Sequence, residues 1–112
     1  MRWHAEPVDQ LSAGIGRQVI HTETMTVARI VLAAGAVVPG HAHENEQVTT
    51  VLEGRLRVVI DGQEHSVGAG ESLILPANVP HEVEALSDTV TLEVFSPVRQ
   101  DWLRGDDSYL RK

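Results

Sequence analysis

The sequence predicts an all-β protein, and two observations lead to this prediction. Short runs rich in β-branched residues recur along the chain, namely 27-VARIVL-32, 48-VTTVL-52, 56-LRVVI-60, 72-SLIL-75 and 89-TVTLEVF-95. Turn residues separate these runs at short intervals: Gly35, Pro39-Gly40, Glu53-Gly54, Asp61-Gly62, Gly68, Gly70 and the stretch from Pro76 to Pro80. Short strands divided in this way are typical of a β-sandwich or a β-barrel.

The chain has the size and composition of one globular domain. It has 112 residues, no low-complexity segment and no long linker, so we expect a single domain over residues 1–112. Hydrophobic residues make up 42% of the chain but aromatic residues only 4%, so the core must be largely aliphatic.

Two local signals refine this outline. Asp61-Gly62 is a good two-residue hairpin turn between the strands on either side, because glycine tolerates a positive φ. The one helical signal runs from Val98 to Arg104, where Pro97 can open a turn of helix. We expect the tail to pack on the body or on a partner subunit, rather than to fray, because it carries large apolar side chains. These are Trp102, Leu103, Tyr109 and Leu110.

The composition excludes several classes of function. The formal net charge of −7 leaves no basic surface for nucleic acid or for an anionic membrane. The absence of cysteine excludes disulfides, thiolate nucleophiles and thiolate zinc sites. No signal-peptide segment and no run long enough to span a membrane is found in the sequence. We therefore expect a soluble, cytoplasmic protein.

Two histidines stand two residues apart in 41-HAHENEQ-47. Strand side chains alternate between faces, so His41, His43 and Gln47 share one face if 41–53 is a single extended run. Glu44 and Glu46 then point to the other side. The alternative interpretation is a solvated polar strand that binds nothing.

A third histidine favours a metal site. His81 follows the rigid Pro76–Pro80 segment, and we expect it at the start of a strand. Three neutral imidazoles and one amide oxygen can bind one divalent transition metal, which could be Zn, Ni, Co, Fe, Mn or Cu. Because no ligand in this set neutralises the ion, we expect it to act as a Lewis acid and to attract an anionic small-molecule substrate.

These segments resemble the two sequence motifs of the cupin superfamily. The first reads G-x5-H-x-H-x3-Q-x6-G and begins at Gly35, and the second reads G-x5-P-x-N-x2-H and begins at Gly70. The resemblance implies a single-domain cupin with a jelly-roll β-barrel (a double-stranded β-helix), a barrel core at about 17–96 and a short C-terminal helical turn or tail. It also implies a metal held by His41, His43, Gln47 and His81.

Two positions depart from the usual cupin motifs. Gln47 replaces the usual glutamate, so it can offer a carbonyl oxygen but brings no charge. Asn78 replaces the usual glycine of the second motif. We expect that turn to be retained, because asparagine tolerates a positive φ better than most residues.

A second group of candidate residues lies on and after the last strand. Glu93 and Phe95 share one face, so if that face is inward, Glu93 enters the cavity as a candidate general acid or base. The alternative is that Glu93 faces water. Arg99 follows near the rim and can hold a carboxylate with two hydrogen bonds. Its alternative is a surface salt bridge with Asp101, Asp106 or Asp107.

This strand resembles that of the pectin-degradation cupins, which linearise unsaturated uronates. Their ending resembles F-[ST]-P-x-R-x-D-[FWL]-L, and 95-FSPVRQDWL-103 matches it. The resemblance implies that Glu93 moves protons, that Arg99 holds the substrate, and that Phe95 lies at the substrate site. The subgroup has aspartate at the position of Glu93, and one extra methylene leaves the exact substrate open.

Three functions are compatible with the sequence. The leading hypothesis is a metal-dependent enzyme acting on a small sugar acid or carbonyl compound, by ring-opening or tautomerisation of a uronate. The second is an oxygenase like the quercetin-dioxygenase cupins, since three histidines on Fe, Ni or Cu can leave open positions for dioxygen. The third is a cupin that binds a ligand or metal without turnover. The resemblance also implies a homodimer.

Overall fold

A computed structural model of the protein describes residues 1–111. Within these residues the strands are β1 (Asp9–Ser12), β2 (Ile15–His21), β3 (Thr26–Leu32), β4 (Val37–His41), β5 (Glu46–Glu53), β6 (Arg55–Ile60), β7 (Gln63–Gly68), β8 (Ser72–Leu75), β9 (His81–Ala85) and β10 (Thr89–Ser96). A short helix, α1 (Gln100–Leu103), follows them. Two 3-10 helices cover Trp3–Ala5 and Ser108–Leu110.

The strands form two antiparallel sheets. One has six strands in the order β1-β2-β3-β10-β5-β8, and the other has four in the order β4-β9-β6-β7. Strands distant in sequence are neighbours, since β10 lies between β3 and β5. The buried core is mainly aliphatic, and it includes Ala28, Val51, Leu56, Val58 and Leu75. This architecture confirms the predicted all-β jelly roll with a short C-terminal helix.

The tight turns use residues that tolerate positive φ. Asp61 and Gly62 connect β6 to β7 with φ values of 48° and 79°, as the sequence predicts for this hairpin. Asn78 has a φ of 62° in the turn between β8 and β9. Asparagine therefore adopts the conformation that glycine usually supplies at this point of the motif.

The two faces of β10 reverse the usual pattern of a half-buried strand. Thr91 and Glu93 are buried, whereas Val90, Leu92 and Val94 on the opposite face are only partly buried. The interior of the fold therefore contains a strip of polar side chains, and an apolar face is left on the outside of the six-stranded sheet. Polar groups inside a protein are costly unless they are hydrogen-bonded.

Residues 41–53 do not form the single extended run on which the parity argument depended. β4 ends at His41, a turn occupies 42–45, and β5 begins at Glu46. The premise of the parity argument was therefore wrong, because the chain passes here from the four-stranded to the six-stranded sheet. Glu44 and Glu46 are nevertheless exposed.

The C-terminal segment, residues 98–111, packs on the body of the fold. Trp102 and Leu110 are buried, whereas Leu103 is 54% exposed. The carboxylate of Asp107 accepts hydrogen bonds from Arg17 at 2.9 Å and from Arg111 at 2.9 Å. This network joins the segment to β2, and Arg111 extends it to β1 through a 2.6 Å hydrogen bond to Asp9.

Among residues 1–111, no helix combines the length and the apolar character needed to cross a lipid bilayer.

Candidate metal centre

Three histidines converge at one end of the fold. His41 ends β4 and His81 begins β9, and they are paired opposite each other in the four-stranded sheet. Their ring centroids are 4.3 Å apart, and the His43 ring lies 4.9 Å from that of His81. Each imidazole can offer one ligand atom, and these atoms all lie within 4.8 Å of one another. The separation is suitable for a single metal ion.

The turn that carries His43 is fixed from two sides. Asn45 is buried, and its amide nitrogen donates to the carbonyl oxygens of Pro97 and Val98. The backbone N–H of Asn78 donates to the His43 carbonyl oxygen at 2.7 Å. The turn between β8 and β9 and the exit of β10 together hold the His43 backbone in place.

Hydrogen bonds to the backbone determine the tautomer of all three histidines. The Nδ1 atoms of His41, His43 and His81 lie 2.8, 3.0 and 3.1 Å from the carbonyl oxygens of Pro39, Asn45 and Val79. Because a carbonyl oxygen only accepts, each Nδ1 must carry the hydrogen. In the neutral ring Nε2 then has a free lone pair, which is the form that a metal requires.

The surroundings also keep these rings neutral. Burial, helped by the Arg99 guanidinium and by His41, lowers the pKa of His43 to about 4. Burial, together with the neighbouring His41, lowers the pKa of His81 to about 4. The pKa of His41 is lowered as well, with burial as the main cause. Near pH 7 all three rings are therefore unprotonated at Nε2.

Gln47 faces the histidines through its oxygen. Its amide nitrogen donates to the Glu93 carboxylate at 2.8 Å and to Thr49 Oγ1 at 3.2 Å, so the amide oxygen points the other way. This oxygen lies 3.1 Å from His43 Nε2. In the neutral tautomer both atoms are acceptors, and two acceptors at this distance repel each other unless a cation is shared between them. The donor set therefore fits a metal ion.

Glu93 lies inside the fold and not on its surface. Its side chain is 5% exposed, and its carboxylate accepts hydrogen bonds from Gln47 and Thr49. Within residues 1–111 no arginine, lysine or histidine forms an ion pair with it. Burial raises the pKa of Glu93, although the hydrogen bonds from Thr49 and Gln47 oppose part of the rise. A carboxyl group with a raised pKa holds its proton more readily than an exposed one, which suits a general acid or base.

Arg99 follows the exit of β10, as the sequence predicts, but its side chain is buried and not exposed to solvent. It is 1% exposed, and its guanidinium carbon lies 4.7 Å from the centroid of Phe95 and 4.3 Å from that of Trp102. Asp101 accepts hydrogen bonds from Nε at 3.0 Å and from Nη2 at 2.7 Å. Of the two alternatives from the sequence, the salt bridge with Asp101 is therefore formed, but it is an internal one.

One cavity connects the histidine cluster with Glu93 and Arg99. It has a volume of about 60 Å³, and its polar lining comes from both sheets and from the C-terminal segment. The side chains around it include His41, Gln47, His81, Glu93, Phe95, Arg99, Trp102 and Tyr109. His43 touches the same group through its contact with Gln47 and through its ring, which lies 5.8 Å from Phe95.

Three further residues of this site were not predicted from the sequence. Asn45 orients the His43 turn, Thr49 donates to Glu93, and Tyr109 stacks 4.6 Å from the His41 ring. The parity of β5 would have found Thr49, because it shares a face with Gln47. The contacts of Asn45 and Tyr109 bring together residues far apart in the chain, and no local pattern indicates them.

Comparisons with known proteins agree with this architecture. A family model described as "Cupin domain" matches residues 28–97. The pectin degradation protein KdgF of Dickeya dadantii (strain 3937) is 30% identical over 100 residues, covering 87% of this chain and 91% of that protein.

Two solved structures extend the likeness to three dimensions. The structure of KdgF from Halomonas sp. matches with a TM-score of 0.83 at 27% identity, covering 88% of this chain and 93% of that one. An RmlC-like cupin from Shewanella frigidimarina NCIMB 400 matches with a TM-score of 0.86 at 27% identity, covering 91% and 93%. Since the family model spans more than half of the sequence and the fold agrees with it, this chain belongs to the cupin family and resembles KdgF.

Proposed function

We propose that the protein is a metal-dependent enzyme that opens the ring of a small unsaturated uronate. The observation that carries this proposal is the double role of Gln47, which faces His43 with its oxygen and donates to Glu93 with its nitrogen. A metal held by the histidines would then lie one side chain away from a buried carboxyl group. The likeness to a pectin degradation protein supports a uronate as the substrate class.

The metal would be held by His41, His43, His81 and the amide oxygen of Gln47. When bound, a divalent ion supplies Lewis-acid polarisation of a substrate oxygen. All four donors are neutral, so this set suits Zn, Ni, Co, Fe, Mn or Cu and leaves the ion its full charge. A site with that charge favours an anionic substrate.

Glu93 would move the proton. In a 4,5-unsaturated uronate the bond between the ring oxygen and the anomeric carbon breaks, and the anomeric hydroxyl loses its proton to give an aldehyde. The ring oxygen becomes part of an enol, which gains a proton on carbon to give a ketone. The net reaction is an isomerisation with no change of oxidation state. One carboxyl group that accepts and returns a proton is sufficient for it.

Arg99 and Phe95 would position the substrate. Nη1 of Arg99 makes no hydrogen bond to any of residues 1–111, whereas Nε and Nη2 are engaged by Asp101. That nitrogen can donate to the carboxylate of a sugar acid. Phe95 supplies an apolar wall beside the guanidinium, since its ring lies 4.7 Å from the guanidinium carbon.

Turnover by the metal-loaded protein tests the proposal. The protein would be stripped with a chelator, reloaded separately with each of the six ions, and supplied with a 4,5-unsaturated uronate. We expect loss of the ultraviolet absorbance of the conjugated double bond with at least one ion, and no loss with the stripped protein. Absence of turnover with every ion, in protein that has bound one equivalent, would contradict the proposal.

We also infer that the protein is a homodimer built on the outer face of the six-stranded sheet. Ile20, Val27, Val94, Val48 and Ile74 form one row of directly opposed residues across five strands. None of them is buried, and Ile74 is 62% exposed. A second copy presents the same row, so two such faces can pack around a two-fold axis.

Sedimentation of two matched variants tests the dimer. Val94→Lys puts a charge in the middle of the row, whereas Val59→Lys puts the same charge on β6 in the other sheet. We expect only Val94→Lys to sediment as a monomer. A monomeric parent protein would contradict the inference. Hydrogen bonds from Arg17 on β2 to Asp107 and from Arg111 to Asp9 on β1 tie the C-terminal segment to the body of the fold, which supports a single domain.

A further inference from the structure

The hydrogen-bond donors of Arg99 are unequally occupied. A guanidinium has five N–H groups in a fixed plane. Nε and one hydrogen of Nη2 are directed at the two carboxylate oxygens of Asp101, at 3.0 and 2.7 Å. The other Nη2 hydrogen lies on the edge shared with Nη1, and the hydroxyl oxygen of Tyr109 accepts from Nη2 at 2.7 Å. Nη1 donates to none of residues 1–111.

Tyr109 therefore occupies the edge at which a carboxylate would bind. A carboxylate that binds a guanidinium in the forked mode needs one donor from each of two neighbouring nitrogens. The edge formed by Nε and Nη2 is used by Asp101, and the edge formed by Nη1 and Nη2 has one of its donors used by Tyr109. In this conformation an incoming carboxylate can obtain only the Nη1 donors.

Tyr109 also limits the space beside the histidines. Its ring centroid lies 4.6 Å from that of His41, and the residue lines the cavity together with Arg99. The cavity volume of about 60 Å³ accommodates a handful of water-sized groups, whereas a six-carbon sugar acid has about a dozen non-hydrogen atoms. Outward movement of the Tyr109 side chain would enlarge this space next to Arg99 and His41.

The side chain of Tyr109 can move while the backbone of the C-terminal segment stays in place. Tyr109 is only half-buried, whereas Trp102 and Leu110 on either side of it in the segment are buried. Asp107 remains fixed by Arg17 and Arg111, which hold the backbone of the segment in place. Rotation of the phenol ring outward breaks its hydrogen bonds to Arg99 and to Trp102 Nε1, which is 3.3 Å away.

We propose that Tyr109 is a gate residue for carboxylate ligands: its hydroxyl stands in for one carboxylate oxygen at Arg99, and the ligand binds by displacing it. This inference rests on the proposed function for the role of Arg99 as the anion-binding group. It makes Tyr109 a specificity-determining residue, because only a ligand that replaces the lost hydrogen bond at Nη2 offsets the cost of opening. A neutral sugar of the same size does not.

Binding of a stable sugar acid tests the proposal without turnover. D-glucuronate has no 4,5-double bond, and its binding to the zinc-loaded protein would be measured by isothermal titration, with D-glucose as the neutral probe. In Tyr109→Phe the Nη1–Nη2 edge is open and Asp101 still orients Arg99. We expect glucuronate to bind about threefold to tenfold more tightly than to the parent, the worth of one hydrogen bond.

Two controls identify the source of any change. Ser108→Ala alters an exposed neighbour in the same turn and should leave glucuronate binding unchanged. In an Arg99→Lys background the Tyr109→Phe substitution should give no gain, because a lysine has no forked edge to expose. A gain of equal size in that background would overturn the proposal.

A second readout follows Tyr109 directly. It is the only tyrosine in the chain, so 3-fluorotyrosine labelling gives one fluorine resonance. We expect this resonance to move towards the value of a solvent-exposed tyrosine when glucuronate binds to the zinc-loaded protein. A resonance that stays in place at saturation, or weaker binding by Tyr109→Phe, would overturn the gate.

The outcomes separate the gate from the proposed function. If Tyr109→Phe binds glucuronate more tightly but the parent does not turn over unsaturated uronates, the gate proposal is supported and the ring-opening proposal is contradicted. If the parent turns over unsaturated uronates but both proteins bind glucuronate equally, the ring-opening proposal is supported and the gate proposal is contradicted. No glucuronate binding by either zinc-loaded protein also overturns the gate, because Arg99 is then not an anion site.

Discussion

At the residue scale, Gln47 explains how this site differs from the usual cupin pattern. Its oxygen lies 3.1 Å from His43 Nε2, and its nitrogen donates to Glu93 at 2.8 Å. A glutamate at this position would remove the donor and place a second carboxylate against the buried Glu93. Glutamine at position 47 is therefore compatible with a buried carboxylate at position 93, because it donates a hydrogen bond to that carboxylate.

Replacement of Glu93 tests the proton step. In Glu93→Gln the side chain keeps its shape but cannot exchange a proton, so we expect turnover of the unsaturated uronate to fall at least about 100-fold. Metal content should stay at the parent level, because Glu93 does not contact the histidines directly. Elemental analysis and the absorbance assay measure the two quantities.

Glu82→Gln is the matched control for this substitution. Glu82 lies on β9, next to His81 in sequence, but its side chain is 45% exposed. We expect its loss to leave turnover within about twofold, as for ordinary surface substitutions. Full activity of Glu93→Gln would mean that another group, or solvent, moves the proton.

Individual site residues were predictable where local spacing encodes them. His41, His43 and His81 were identified from motif spacing, and the position of Glu93 from strand parity, although parity left its direction open. The burial of Arg99 could not be predicted, because it depends on Trp102 and Tyr109 in a segment with no regular pattern. Asn45 was missed for the same reason, since its contact to Pro97 spans 52 positions.

At the scale of elements, the β5–β6 connection depends on one glycine. Gly54 has a φ of 90°, and a Cβ placed there would collide with the backbone of Asp88 and with Thr89. We expect Gly54→Ala to lower the free energy of unfolding by about 3 kcal/mol, since it combines left-handed strain with a steric clash. Urea unfolding followed by far-ultraviolet circular dichroism measures the change.

The same substitution at Gly62 distinguishes backbone strain from the steric clash. Gly62 has a φ of 79° in the β6–β7 hairpin, but a Cβ there has no heavy atom within 4 Å. Gly62→Ala should therefore cost about 1 kcal/mol, from backbone strain alone. Equal losses for the two variants would mean that the contact between Gly54 and Asp88 adds nothing.

The strands were more predictable from the sequence than the turn that interrupts residues 41–53. The runs 27–32, 48–52, 56–60, 72–75 and 89–95 fall in β3, β5, β6, β8 and β10, because β-branched residues favour strands. The interruption at 42–45 was missed, since the run from 41 to 53 has no glycine or proline to indicate it before Gly54. It arises from the transfer of the chain between sheets, which is a tertiary feature.

At the scale of the whole molecule, one ionic network joins the two ends of the chain. Arg17 on β2 is buried and bonds to Asp107 at 2.9 Å and to Asp9 at 3.2 Å. Two of its nitrogens, Nε and Nη1, are buried and have no hydrogen-bond partner within residues 1–111. Asp107 is therefore the main compensation for a buried positive charge.

Removal of Asp107 should destabilise the fold. We expect Asp107→Asn to lower the free energy of unfolding by about 3 kcal/mol, because it leaves Arg17 buried and only partly paired. Asp106→Asn is the matched control, since the ion pair of Asp106 with Arg104 is exposed on both sides and should contribute less than about 1 kcal/mol. Urea unfolding at pH 7 measures both.

The same network predicts the direction of the pH dependence. Hydrogen bonds from Arg111, and then from Arg17, hold the pKa of Asp107 below its ordinary value of 3.8. The unfolded chain then binds the proton first as the pH falls, so the stabilisation by Asp107 is complete above pH 3.8 and is lost below it. The difference in unfolding free energy between the parent and Asp107→Asn should therefore shrink as the pH falls below 3.8. A constant difference down to the lowest pH would contradict it.

The overall architecture was predictable from the two motifs, but the position of the C-terminal segment was not. The motif glycines and histidines indicate the jelly roll, and the strand order follows from that fold. The apolar residues of the tail indicated only that it packs somewhere. Its position over the cavity depends on contacts of Asp107 with β2 that lie 90 positions apart in sequence.

The metal content of the purified protein decides whether the three histidines form a metal site. Elemental mass spectrometry would be applied to the parent, to His43→Ala and to His65→Ala, whose histidine lies on β7 outside the cluster. We expect about one equivalent of a divalent transition metal per chain in the parent and in His65→Ala, and almost none in His43→Ala. A parent protein that holds no metal after incubation with excess zinc, nickel, manganese, iron, cobalt and copper would contradict it.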